Sequence, residues 1–395
     1  MSLTRRRLFE RLGSVAAFPM SGEAVAARGR EAAEAEGVAL TAAAQNGSTI
    51  RIASNENPLG PGQHVLDAIV GRFPEVGRYP FNAKQPEAAI VSALASMHSV
   101  ANNRISLSAG SGELLVNAVR AFCTADRPLV TAWPSFEAPV TTANKMGLPV
   151  KMVELDGELR IDIAKLVEAS KGAGLVFFCN PNNPTGTVHG AAAVADFVKQ
   201  VRAASPNTVI LIDEAYHEYV TNPSYQSAIA LAAETPNVFV TRTFSKAYGM
   251  AGLRIGYAVG HTETIAEVNR YRMPFSIGLP NIAAAVTGLG NPRHIESERA
   301  RNTAVRDFTT KAFQEMGYSA TASETNFIFV DLKAPAAPFR DACREHGVLV
   351  GRDFPPYEKT HCRISMGTME EMQRAVQVFR KVLGNTTIAA GQHGR

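Results

Sequence analysis

The chain is predicted to be an α/β protein: a mainly parallel sheet flanked by helices, with a smaller α+β domain. Three observations carry this expectation. From Arg104 onward, short apolar runs recur without the polar alternation of a half-exposed strand. Longer stretches with helical spacing separate them, the pattern of crossovers over both faces of a parallel sheet. Near Asn291 the alternation stops and a long charged helical stretch begins. The predicted division is residues 1–46 as a leader or arm and 47–80 as an N-terminal arm belonging to the smaller domain. Residues 81–290 form the large domain, 291–385 the small one and 386–395 a tail.

Taken in order, Ile105–Ser108 reads as a strand. Gly112–Cys123 reads as a helix, with Leu114, Leu115, Ala118, Val119 and Phe122 on one face. Pro128–Trp133, Val150–Leu155 and Gly174–Cys179 are strands, with helices at Phe136–Met146, Ile161–Ala169 and Ala191–Arg202. Further strands are expected at Val209–Ile212, Val238–Thr241 and Ile255–Val259. The C-terminal part holds a helix at Ile295–Met316 and strands near Phe327–Asp331 and Cys362–Met366. The segment Thr49–Arg78 is expected to pack with the smaller domain.

Net charge is +4 over 395 residues, of which the first 40 contribute +1 through six Arg and five Glu. So weak a basic balance, with no Lys/Arg run after Arg7, points to neither nucleic acid nor an anionic membrane. No stretch approaches the ~18 apolar residues of a spanning helix, so no stable membrane association is expected. Four scattered cysteines offer neither a disulfide scaffold nor zinc spacing. Thr4-Arg5-Arg6-Arg7-Leu8-Phe9, a mild apolar segment and Ala24-Val25-Ala26 resemble a twin-arginine export signal. That implies a periplasmic or exported protein. The bland reading, a polar Ala/Glu/Arg-rich arm, leaves it cytoplasmic.

Lys246 lies in Thr243-Phe244-Ser245-Lys246, just past a strand, and Arg254 stands eight residues on. A lysine that forms an imine must be fixed in place and partly deprotonated. Hydroxyls at −3 and −1 and a guanidinium at +8 would together hold a phosphate dianion. Asp213 ends an apolar strand, where a carboxylate needs a nearby cation. A pyridinium N–H is such a cation, and Tyr216 three residues later can donate to a phenolate oxygen. The competing roles are a helix cap for Asp213 and simple packing for Tyr216. Asn180-Pro181-Asn182-Asn183-Pro184-Thr185-Gly186 forms a rigid turn at another strand end. Gly110-Ser111-Gly112-Glu113 opens a helix whose N–H groups suit a phosphate. Leu115 replaces the third glycine of a dinucleotide fingerprint, and Thr221 breaks the H-E-x-x-H spacing begun at His217, so neither a dinucleotide site nor a metal is expected.

These elements, in this order, resemble the fold-type I pyridoxal-phosphate aminotransferases, in particular the histidinol-phosphate aminotransferase branch. The likeness runs from Ile52-Ala53-Ser54-Asn55-Glu56-Asn57-Pro58-Leu59-Gly60 to Arg363-Ile364-Ser365-Met366-Gly367-Thr368. The resemblance implies Lys246 as the Schiff-base lysine and proton shuttle, and Asp213 at the pyridine nitrogen. It implies Tyr216 and Asn183 at the phenolate oxygen, and Ser111, Gly112, Thr243, Ser245 and Arg254 at the phosphate. Tyr79 would reach the phosphate of a neighbouring subunit, which implies a homodimer with shared sites. Phe136 would stack on the ring. Arg363 would bind the substrate's carboxylate or phosphate, Arg352 a second anionic group, and Asn57 would line the entrance.

The implied activity is transamination between an amino acid, or an amino-alcohol phosphate, and a 2-oxo acid. A decarboxylase or lyase of the same fold is the alternative, and a cofactor-binding regulator without turnover is a third. An exported enzyme would fit histidine biosynthesis poorly and favour another amino substrate.

Overall fold

The computed structural model describes residues 49–79 and 86–392. The paired arginines and the Ala24–Ala26 segment lie outside the described residues.

Among the described residues twelve strands follow in chain order: β1 (Ile50–Ile52), β2 (Ile105–Ser108), β3 (Leu129–Trp133), β4 (Val150–Glu154), β5 (Leu175–Cys179) and β6 (Val209–Asp213), then β7 (Val238–Thr243), β8 (Gly256–Gly260), β9 (Ser319–Ala320), β10 (Phe327–Asp331), β11 (Val348–Val350) and β12 (His361–Ser365). A seven-stranded sheet has the order β2-β8-β7-β6-β5-β3-β4. Its pairings from β7 to β4 are parallel, while β8 runs antiparallel to both β7 and β2. The reversal follows from the connection: β7 and β8 are joined by a short loop with one 3-10 turn, whereas parallel neighbours need a crossover.

The missing polar alternation has a direct cause. In β5, Val176 and Phe178 enter one apolar cluster while Leu175 and Phe177 enter another, and β6 divides Ile210 and Ile212 from Val209 and Leu211 in the same way. Helices cover both faces, so every position is buried. Register brings Cys179 opposite Asp213 and Asp213 opposite Thr241, aligning three carboxyl-terminal strand ends.

A third apolar cluster gathers β1, β10, β11 and β12 with Phe313, Phe339 and Phe379. Here β12-β10-β9 form an antiparallel sheet and β1 pairs in parallel with β11. The segment Thr49–Arg78 therefore divides. Its strand joins this cluster, whereas helix Gln63–Val70 packs on helix Leu279–Leu289 beside the seven-stranded sheet. The helix needs an apolar surface for Val65, and the Leu279–Leu289 helix presents Ile282 and Ala285. At the other end, helix Met369–Gln392 runs past the boundary expected at residue 385. Among the described residues no helix is long and apolar enough to cross a membrane.

Candidate active site

Lys246 sits on the turn between β7 and β8, closed by Gly249 N–H to the Lys246 carbonyl and Met250 N–H to the Phe244 carbonyl. Its Nζ lies 5.7 Å from the centre of the Tyr216 ring and 3.4 Å from the Ser54 carbonyl oxygen. Burial, with the Arg363 and Arg254 charges, lowers its pKa to about 8, against the opposing pull of Glu56 and Asp213. Desolvation disfavours the charged amine, so about a tenth of it is neutral at pH 7.

Beside it, Arg254 donates to Ser245 Oγ at 3.2 Å and to the Ala251 carbonyl at 2.9 Å. Arg254 has a left-handed backbone (φ 53°) at the end of the 3-10 turn Ala251–Leu253. Its guanidinium lies so close to Gly110 that a Cβ there would collide with Nη2, and Gly110 itself has φ 81°. Gly256 likewise lets β8 meet the Ser111 amide. The guanidinium thus faces the start of helix Ser111–Phe122, where the first N–H groups lack intrahelical acceptors. Of the expected phosphate ligands, Ser245, Arg254, Ser111 and Gly112 converge here. Thr243 is nearby, but its Oγ accepts from Ser245 N–H at 3.1 Å and so also holds the turn.

Asp213 is buried at the end of β6, where its Oδ1 accepts from the Thr241 hydroxyl at 2.9 Å. Desolvation raises its pKa to about 6, followed by the opposed effects of that hydrogen bond and of Glu214. Being the last residue of a strand, it is not a helix cap. Tyr216 is buried edge-on against Phe327, and burial raises its phenol pKa.

Arg363 projects from β12 into the same space. It donates to Asn183 Oδ1 at 2.7 Å and to the Ala53 carbonyl at 2.6 Å, its Nε has no partner, and its guanidinium lies 4.7 Å from the Phe354 ring. Among the described residues no carboxylate pairs with it, and burial pulls its pKa down to about 10. Since arginine only donates, Asn183 must turn its oxygen to Arg363 and present its NH2 elsewhere. The turn bearing Asn183 is rigid: Asn182 bonds Ser135, Pro134 and Thr185, and Asn180 exchanges two bonds with His189.

Arg352 stacks on Phe354 at 4.4 Å, so one ring lies against two guanidinium groups. Its expected role as a second anion contact meets an obstacle, because Glu137 pairs with it. Phe136 is half-buried against the apolar cluster that also holds Trp133. Tyr79 is 67% exposed, its ring 6.1 Å from Phe275.

Asn57, expected at the entrance, is buried. Its Nδ2 donates to the Ala247 carbonyl and its Oδ1 accepts from Leu59 N–H, which pins the arm to the Lys246 turn. The neighbour that faces the site is Asn55, whose Nδ2 donates to the Tyr216 hydroxyl at 2.9 Å. Asn55, Glu137 and Phe354 were not singled out in the sequence. Asn55 carried one usable signal, a polar residue two before the Asn-Pro turn, at a site suited to a left-handed backbone.

Residues 48–379 match the family model described as aminotransferase class I and II. The chain is 36% identical over 338 residues to histidinol-phosphate aminotransferase 1 of Nitrosococcus oceani, covering 85% of this chain and 89% of that protein. It is also 36% identical over 339 residues to an aromatic amino acid aminotransferase of Nocardia farcinica, covering 84% and 91%. The solved structure of histidinol-phosphate aminotransferase from Sinorhizobium meliloti in complex with pyridoxal-5'-phosphate aligns with a TM-score of 0.77 at 27% identity, over 85% of this chain and 91% of that one.

The residues fit that cofactor. The Gly110–Arg254 contact, which a Cβ would fill, makes an anion cradle at a helix start. The buried Asp213 carboxylate offers the charge that a pyridinium N–H requires, and the depressed Lys246 amine is poised to bond a carbonyl carbon.

Proposed function

We propose a substrate class for this chain, which belongs to the class I and II aminotransferases and is a pyridoxal-phosphate-dependent transaminase. Its amino donor is a 2-amino acid with an apolar or aromatic side chain, anchored through its carboxylate, rather than a phosphate monoester. The observation that carries this reading is the pairing of Glu137 with Arg352 beside Arg363. Glu137 neutralises one of the two guanidinium groups, so a single uncompensated positive charge faces the substrate. That matches a carboxylate monoanion better than a phosphate dianion. Phe354 and Phe327, which flank Arg363, supply apolar wall. The kinship with an aromatic amino acid aminotransferase supports the same reading.

When bound, pyridoxal phosphate supplies an electron-withdrawing ring that spreads the charge left as the substrate Cα loses its proton. The remaining work falls to the chain. Arg254, Ser245 and the N–H groups at Ser111 and Gly112 would hold the phosphate, and Asp213 would keep the ring nitrogen protonated. Tyr216 and the Asn183 NH2 would donate to the phenolate oxygen. Arg363 orients the carboxylate so that the Cα–H points at Lys246, whose neutral amine takes that proton and returns one.

The test is a comparison of kcat/KM for phenylalanine, tyrosine, aspartate and histidinol phosphate with one common 2-oxo acid. Preference for histidinol phosphate would overturn the reading. We also propose a homodimer in which Tyr79 reaches the partner's phosphate cradle, supported by exposed Phe73, Val76, Tyr79, Met273 and Phe275. Light scattering of the holoenzyme tests it. Export by the twin-arginine route is the proposed fate, tested by fractionation after replacing Arg5 and Arg6 with lysine.

A further inference from the structure

We infer that Asn55 is a positioning residue that aims the Tyr216 hydroxyl proton at the cofactor. This rests on the reading of Tyr216 as the partner of the cofactor's phenolate oxygen. Asn55 is 2% exposed and holds φ 56°, a left-handed conformation that asparagine tolerates better than most side chains. Its backbone N–H donates to Ser365 Oγ at 2.9 Å. With that oxygen receiving a proton, the Ser365 hydroxyl gives its own to Asn55 Oδ1 at 2.7 Å. The amide is thereby oriented, and Nδ2 is the end that meets Tyr216 Oη at 2.9 Å. An amide nitrogen only donates, so Oη accepts there and its own O–H bond must point away from Asn55.

The Lys246 Nζ sits over the ring of the same tyrosine, 5.7 Å from its centre. The charged and titratable groups acting on the phenol are Arg363, Cys179 and Asp213. Asn55 and Ser365 come from the arm and from β12, so the proton's direction is set by elements outside the seven-stranded sheet, whose strand β6 ends three residues before Tyr216. Ser365 lies two residues beyond Arg363. The same strand therefore anchors the substrate and, through Asn55, orients the hydroxyl.

The test is a pH titration of the visible band of the bound cofactor in the holoenzyme, a readout separate from turnover. A hydrogen bond given to the phenolate oxygen favours the deprotonated, more anionic form of the chromophore, so losing it moves the transition upward. Tyr216→Phe should raise the midpoint by about one pH unit. Asn55→Gly keeps the left-handed backbone and removes the side chain. It should raise the midpoint by roughly half as much, because a freely rotating hydroxyl meets the oxygen only part of the time. Ser365→Ala, which frees the amide to turn, should shift it the same way by less. In the Tyr216→Phe background neither change should move it further.

An unchanged midpoint in Asn55→Gly, a downward shift, or an equal shift in both backgrounds overturns the proposal. A downward shift would mean that Tyr216 had been donating to Asn55. If Tyr216→Phe alone leaves the midpoint in place, the reading of Tyr216 fails, and the proposal with it.

Discussion

Replacing Arg363 with lysine should separate carboxylate recognition from every other function of the site. Arg363 is buried, spends two donors on Asn183 and Ala53, keeps Nε without a partner, and has no carboxylate paired with it among the described residues. A buried charge pair loses on the order of 3–5 kcal/mol when one member is removed. Lysine retains the charge but loses the planar fork, so the loss should fall at the lower end, roughly 3 kcal/mol. That corresponds to a fall of about two orders of magnitude in kcat/KM for phenylalanine. The control is 2-phenylethylamine, which has the same amine and ring but no carboxylate. Its single-turnover rate, followed by loss of the cofactor's visible band, should change less than about threefold. Equal losses for both amines would refute the assignment, since a residue that reads the carboxylate cannot slow a substrate lacking one to the same degree.

Three further outcomes follow from other parts of the site. Gly110→Ala places a Cβ against the Arg254 guanidinium at a φ of 81°, so cofactor affinity should drop at least about tenfold; unchanged affinity by titration of the apoenzyme would remove the cradle from the account. Asp213 has a pKa raised to about 6, so the cofactor-free native state retains a proton that the unfolded chain releases above about pH 4, and stability falls as pH rises through that window. Asp213→Asn should therefore raise the apoenzyme Tm above pH 6 and not below pH 4, while slowing the amino-transfer half-reaction; a lower Tm at pH 8 would argue against an uncompensated carboxylate. Finally, the neutral fraction of Lys246 falls tenfold per pH unit below its pKa of about 8. The rate of cofactor uptake by apoenzyme should rise with pH and level off above 8, and a rate still climbing at pH 10 would show that burial does not depress the amine.

The parts of the site that could be read from sequence are those whose partners lie close along the chain. Ser245 and Arg254 flank Lys246 within one turn, and Asp213 and Tyr216 are three residues apart at the end of a wholly apolar strand. Long-range pairs gave no such pattern. Asn55 meets Tyr216 across 161 positions and Arg352 meets Glu137 across 215, and tertiary packing decides both. Asn55 and Asn57 are both amides beside the same turn, and nothing local says which one meets Tyr216. The direction of β8 was hidden for a related reason: a wholly apolar run records burial on both faces, not orientation. Helix Gln63–Val70 followed its apolar stripe to the nearest complementary surface, which chain order did not reveal.

The short arm from Ala53 to Asn57 links the otherwise separate parts of the site. Ala53 gives its carbonyl to Arg363, Ser54 gives its own to Lys246, Asn55 meets Tyr216, and Asn57 meets the Ala247 carbonyl beyond Lys246. Each bond joins this arm to a residue at least 161 positions away. The Lys246 turn and the Tyr216 strand end belong to the seven-stranded sheet, whereas Arg363 belongs to β12. The distance between Lys246 and Arg363 is thus set by five consecutive residues rather than by contact of the two sheets alone. A carboxylate arriving at Arg363 needs two N–H groups, and the unpartnered Nε supplies one without cost. The second is also at hand, because each Nη has given one hydrogen, to Asn183 or to the Ala53 carbonyl, and keeps another. A carboxylate can therefore dock without releasing either bond, so the arm and the Asn183 turn should hold their positions when substrate binds.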